Sequence, residues 1–192
     1  MNKIQKIVFQ KKWNTLLSNY SVKDICLSLN FEEAMHNVED LFYEDFPNHD
    51  NQQYALKLAF EIKDHFKNEW ESDWKNDVFL GDLCDMLWRY DERYLCYKKA
   101  YDKLKDPPAE LLLRLLNCHS TPDTPLITDE EAESYLRQAL AKKLTSEVAL
   151  SMRALYREKN NKSQENYWDH MYKKLEKENV HVDKITPNIL MS

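Results

Sequence analysis

The chain of 192 residues holds one glycine, Gly81. Glycine supplies the positive-φ positions of hairpin turns and many loops. A sheet protein of this length is hard to build with one, so an all-β fold is excluded. The six prolines (Pro47, Pro107, Pro108, Pro122, Pro125 and Pro187) avoid the periodic stretches, and together with the missing glycine they predict a nearly all-helical protein. No apolar run reaches the length of a membrane span. The N-terminal MNKIQKIVFQKKW lacks the apolar core of a secretory signal. The four cysteines, Cys26, Cys84, Cys96 and Cys118, include no C-x-x-C pair. They are expected as reduced, buried thiols in a cytoplasmic protein.

Further absences concern chemistry. One glycine cannot build a phosphate cradle or a nucleophile elbow. The six histidines (His36, His49, His65, His119, His170 and His181) contain no H-x-x-x-H pair, and none lies near a cysteine at metal spacing. Asp64-His65 and Asp169-His170 are adjacent pairs, which do not face each other on a helix. Carboxylates abound, but no pair is marked out. The expectation is a protein without catalytic residues, cofactor or metal.

What is present is helical periodicity. Residues 2–18 carry Ile4, Ile7, Val8, Leu16 and Leu17 at amphipathic spacing. Ser21 and Asn30 are placed to cap the next two helices, the second, FEEAMHNVEDLFYEDF, being closed by Pro47. NQQYALKLAFEIKDHFKNEW, residues 51–70, keeps helical spacing. Further helices are predicted over about 72–88 and 91–105. Another starts at Pro107-Pro108, and one more follows the polar loop HSTPDTPLIT, where Thr128 and Glu131 have capping-box spacing. Thr145 or Ser146, and then Ser163, open the last two. A chain of this length buries roughly 70% of its unfolded surface as one domain. The expected organisation is a single helical-repeat domain over 1–192, with capping helices in 1–47, helical hairpins in 51–178 and a tail in 180–192.

The helices pair. ERYLCYKKAYDKL, EAESYLRQALAKKL and QENYWDHMYKKL place Ala100, Ala139 and Met171 in matching positions, and Ala59 fits an earlier unit. Spacings of this order mark helical hairpin arrays. LGDLCDMLWRYDERYLCYKKAYDKL resembles the tetratricopeptide repeat. Leu80-Gly81 matches the family's Leu-Gly pair, Arg89-Tyr90 the turn, Tyr97 the later aromatic and Ala100 the small packing residue. Cys84 stands where Tyr is usual. Arg93 stands where Ala is usual, so its charge is expected to escape to the edge of the hairpin. The resemblance implies an all-α fold of antiparallel helical hairpins stacked as an irregular array. It makes Tyr90, Tyr94, Tyr97 and Tyr101 packing residues rather than catalytic phenols. It also places Val78, Asp82 and Asp85 on the inner groove.

Charge is uneven. The net charge is −6, yet residues 31–92 carry 17 acids against five bases. Glu69, Glu71, Asp73, Asp77, Asp82 and Asp85 cluster around Trp70 and Trp74. One reading is a solvated helix face with local pairs such as Asp85–Arg89. The other is a docking surface for a basic protein, with Trp70 and Trp74 as anchors and Val78 beside them. A local negative field repels nucleic acid, and neither a nucleic-acid nor a membrane partner is expected. The lysine-rich first helix is read as a cap on the array. In size, acidity and lack of catalytic machinery the chain is similar in kind to the helical immunity proteins that bacteria make against delivered toxins. That likeness implies an antitoxin-like inhibitor of a basic toxin domain such as a nuclease. The alternative is an adaptor or secretion chaperone that holds a peptide in its groove. An inhibitor binds a folded partner over about 1,200–2,000 Å²; an adaptor binds a short peptide.

Overall fold

A computed structural model describes residues 2–43, 48–119 and 125–191. Pro47, Pro122 and most of the loop before Pro125 lie outside the described residues. Among the described residues the fold is all-α: twelve α-helices, two short 3-10 segments and no strand. The helices are α1 Lys3–Phe9, α2 Trp13–Asn19, α3 Val22–Cys26, α4 Phe31–Phe42, α5 His49–His65 and α6 Lys67–Glu71. They continue with α7 Lys75–Met86, α8 Tyr90–Asp102, α9 Ala109–Leu116, α10 Asp129–Lys142, α11 Ser146–Glu158 and α12 Lys162–Lys177.

Local chemistry accounts for the starts. Asn2 with Gln5, Ser21 with Asp24, Asn30 with Glu33, and Thr128 with Glu131 each form a reciprocal capping box, satisfying two otherwise orphaned N–H groups apiece. Pro108 is the extended N-cap of α9, and Thr145 caps α11. Asn161, not Ser163, caps α12, accepting from the Gln164 N–H.

The ends show how a chain with one glycine makes its turns. Lys11 (φ 49°), Trp88 (φ 60°), Asn160 (φ 52°) and Asn179 (φ 53°) are left-handed. After each, the next N–H reaches back five residues: Lys12 to Ile7 at 3.1 Å, Arg89 to Cys84 at 2.9 Å, Asn161 to Tyr156 at 2.9 Å and Val180 to Leu175 at 3.0 Å. This is the Schellman closure, in which the left-handed residue is usually glycine. Gly81 has no positive φ and lies buried within α7. The Lys11 closure divides the expected helix 2–18 into α1 and α2. Phe66, at φ −105° and ψ 50°, likewise divides the expected helix 51–70 into α5 and α6.

The chain forms two compact units: residues 1–96 with 186–192, and residues 97–185, the division falling inside α8. In the first unit α3 and α4 pack on α5, and α1 packs on α2. Leu16, Ile25, Met35, Leu56, Leu58, Ile62 and Trp70 are fully or almost fully buried there. Each such side chain contributes roughly 1.5–3 kcal/mol of transfer free energy. The C-terminal 3-10 segment Asn188–Met191 belongs to this unit, laying Ile189 and Leu190 on the same core. In the second unit α9 packs on α10 and α11 on α12. Ala100 and Ala139 are fully buried in it, Tyr97 is buried, and Tyr101 meets Tyr135 edge-on at 5.6 Å. Ala59 is fully buried in the first unit, whereas Met171 in the second is half-buried.

Candidate functional site

The acidic block lies in the first unit, on α6, α7 and the turns flanking them. The structure sorts its nine candidate residues by exposure. Trp70, Asp77 and Val78 are each 0% exposed. The Trp70 indole N–H donates to Asp77 Oδ1 at 3.0 Å, and the Asn76 amide donates to the Trp70 carbonyl at 3.0 Å. Lys63 Nζ approaches Asp77 at 3.4 Å and lies 5.9 Å from the Trp70 ring centroid. Trp70 therefore corrects the expected surface anchor: its ring fills the core, and its polar edge is satisfied from within. Asp77 is consumed by the same contacts, and Val78 offers no surface to a groove.

Asp73 has a structural task as well. Its Oδ1 accepts from the Lys75 N–H at 3.0 Å, and its Oδ2 accepts from the Asn188 N–H at 2.9 Å. Lys75 Nζ donates to Asn188 Oδ1 at 2.9 Å. The pair clamps the C-terminal segment to the start of α7. Trp74 is half-buried beside it. Glu69 and Glu71 are exposed, Asp82 is half-buried, and the Asp85 side chain keeps 47% of its surface in solvent.

Asp85 does not pair with Arg89. It pairs with Arg93, whose side chain is only 7% exposed and stacks 5.0 Å from the Tyr90 ring centroid. The Arg93 charge thus does not escape to an edge: α7 supplies the carboxylate that answers it. Arg89 pairs with Glu92 and lies 5.6 Å from the Phe60 ring centroid. The Arg89 hydrogen bond holds the Glu92 carboxyl below its ordinary value. Behind the turn, the Cys84 thiol on α7 hydrogen-bonds the Cys96 thiol on α8, and this bond and then burial push Cys84 up.

The turn between α7 and α8 holds a residue that sequence reasoning passed over. Trp88 is 79% exposed and occupies the left-handed position of the Schellman closure. A bulky side chain in that backbone region costs roughly 1–2 kcal/mol. Met86, 51% exposed, precedes it, and Leu95, 64% exposed, follows two turns into α8. Asp91 is exposed in the first turn of α8 and has no ion-pair partner among the described residues. The available signal was the unusual L-W-R-Y junction, which stands where a helix must end without glycine.

The second unit holds two other constellations. A cleft of about 310 Å³ is floored by Leu116, Ala132, Leu136 and Leu155. On its rim His119 Nε2 meets Asp129 Oδ1 at 2.7 Å, and Glu133 is held by both Lys159 and Arg137. Its size sits at the low end for ligand pockets, and these ion pairs close on themselves. The other gathers Ser146, His181 and Glu147. Ser146 Oγ lies 2.8 Å and Glu147 Oε1 2.9 Å from the same His181 nitrogen, Nδ1. A proton relay needs the hydroxyl on one ring nitrogen and the carboxylate on the other. This group instead pins the segment after α12 to the start of α11, helped by the Val182 N–H donating to Glu147.

Among the described residues no group of three or more His, Cys, Asp or Glu side chains is arranged to hold a metal ion. No described helix is long and apolar enough to cross a membrane. Comparison with protein-family models, curated proteins and solved structures found no match.

Proposed function

We propose that the chain is a non-enzymatic protein-binding module, in which an acidic face of the first unit docks a basic protein. The observation that carries this reading is the charge block, 17 acids against five bases over residues 31–92. Part of it remains at the surface in Glu69, Glu71, Asp85 and Asp91. Interspersed charges of one sign accelerate encounter with the opposite sign and reject like-charged partners. Nucleases and similar toxins need cationic surfaces to hold phosphate backbones. An acidic protein that covers such a surface blocks substrate by charge and shape together. The function this supports best is that of a cytoplasmic immunity or antitoxin protein. The tetratricopeptide-like hairpin is its scaffold in this reading. A peptide-holding adaptor is the runner-up; the burial of Val78, meant to line its groove, counts against it.

The test is co-expression with the product of the gene next to this one, which is expected to be a small basic protein. Growth arrest by that protein alone, relieved by this chain, is the expected outcome. Arrest that persists at saturating levels of this chain contradicts the reading.

A further inference from the structure

We infer that Trp88, at the turn between α7 and α8, is the anchor of the docking face and receives an arginine side chain of the basic partner. The inference rests on the reading above and specifies its chemistry. Core packing does not explain Trp88, because the residue is 79% exposed. Backbone preference does not explain it either, because the left-handed position favours glycine or asparagine. Among the described residues the other three such positions hold Lys11, Asn160 and Asn179, all polar. An indole kept in solvent at a strained backbone site points to a surface use.

The surroundings specify the occupant. The turn is rigid: Arg89 N–H bonds to the Cys84 carbonyl at 2.9 Å, and the Arg89 guanidinium is held between Glu92 and the Phe60 ring. The backbone carrying Trp88 is held in place, so binding orders only its side chain. Two cations lie nearby, but Arg89 is offset by Glu92 and Arg93 by Asp85. Asp91 is exposed with no ion-pair partner among the described residues. Met86, two residues before Trp88, and Leu95, in the second turn of α8, are exposed apolar side chains as well. An exposed indole followed three residues on by an exposed carboxylate suits a flat, weakly hydrated guanidinium better than an ammonium, since arginine stacks as well as pairs.

The experiment uses the full chain with hexa-arginine and hexa-lysine peptides as probes, by calorimetry at about 150 mM salt, where surface attraction is screened beyond about 8 Å. Wild type is expected to prefer hexa-arginine by about three- to tenfold. In Trp88→Gly that preference disappears while a weaker, salt-sensitive attraction to both peptides remains. The same substitution relieves the left-handed strain, so its Tm is expected to rise by about 2–4 °C. A merely structural tryptophan predicts the reverse, a fall in Tm. If Trp88→Gly keeps the arginine preference, the anchor is wrong and the acidic-face reading stands. If wild type binds neither peptide, both fall. If sedimentation shows concentration-dependent self-association that Trp88→Gly abolishes, the occupant is a second copy of this chain and the basic-partner inference is overturned.

Discussion

Trp70 donates its indole N–H to the Asp77 carboxylate at 3.0 Å inside the first unit, both side chains wholly shielded from solvent. Two residues that look like surface recognition groups are one buried polar pair. Removing the acceptor leaves the indole N–H and the inward-turned Lys63 without their partner. Asp77→Ala is therefore expected to cost about 2–3 kcal/mol, somewhat below a fully buried ion pair because Lys63 retains some exposure. Urea unfolding checks this; a loss under 0.5 kcal/mol, the usual scale of surface substitutions, contradicts it.

The pairing of Asp85 with buried Arg93 changes which charge reversals report on binding. The sequence places Asp82 and Asp85 together on the inner groove and does not distinguish them as sites for reversal to Lys. In the fold, Asp85→Lys sets two cations against each other at a site that shields Arg93. Its cost is expected at about 2 kcal/mol, the half-exposed carboxylate discounting the buried figure. Glu69→Lys, Glu71→Lys and Asp91→Lys, all exposed, are expected to stay within about 0.5 kcal/mol of wild type. Thermal melts of the four variants separate the two classes.

The contrast shows what was legible in the sequence. Caps were, because Ser21, Asn30 and Thr128 act on backbone two or three residues away. The amphipathic faces were, because helical spacing is local. The breaks at Lys11 and Phe66 were not: neither carries a glycine or proline, and both depend on how the following helix packs. Nor were the fates of the acids. Whether an aspartate faces solvent or a buried indole depends on how the turn after α6 sets that helix against α7, which helical periodicity does not encode. Trp88 was missed for the same reason, since its left-handed backbone follows from the closure of α7.

Ala100 is fully buried. Ala100→Trp overpacks that contact and is expected to cost at least about 1–3 kcal/mol or to prevent folding. Wild-type melting behaviour would show that the site has room.

The thiols give a chemical test of burial. All four cysteines are unpaired as disulfides and buried. Burial, and then the nearby Glu61 charge, push the Cys26 thiol up to about 12, while Cys84 is raised by its bond to Cys96. Thiolates are the reactive species. At pH 8 a disulfide reagent is expected to modify none of the four in the folded chain and all four in urea. Rapid reaction at Cys84 or Cys96 under native conditions contradicts the burial of this thiol pair.

Acid sensitivity follows from Glu147. Burial raises its carboxyl, but hydrogen bonds from its own backbone N–H, Thr145, His181 and the Val182 N–H outweigh that and hold it below the ordinary 4.5. A depressed folded-state value stabilises the fold above the unfolded value, and that stabilisation is lost as pH falls through the folded one. Wild type is therefore expected to lose stability below about pH 4.5, and Glu147→Gln to show a shallower loss in the same window. Identical slopes in urea unfolding at pH 7, 4 and 3 would count against the His181–Glu147 clamp.

The proposed docking face is tested most directly by amide shift mapping of the full chain titrated with hexa-arginine. Perturbations gathered between Glu69 and Leu95, fading as salt is raised and absent in a Glu69→Lys, Glu71→Lys, Asp91→Lys triple variant, are the expected result. Shifts that centre on the cleft lined by His119 and Glu133, or that scatter over both units and survive the triple substitution, would contradict it.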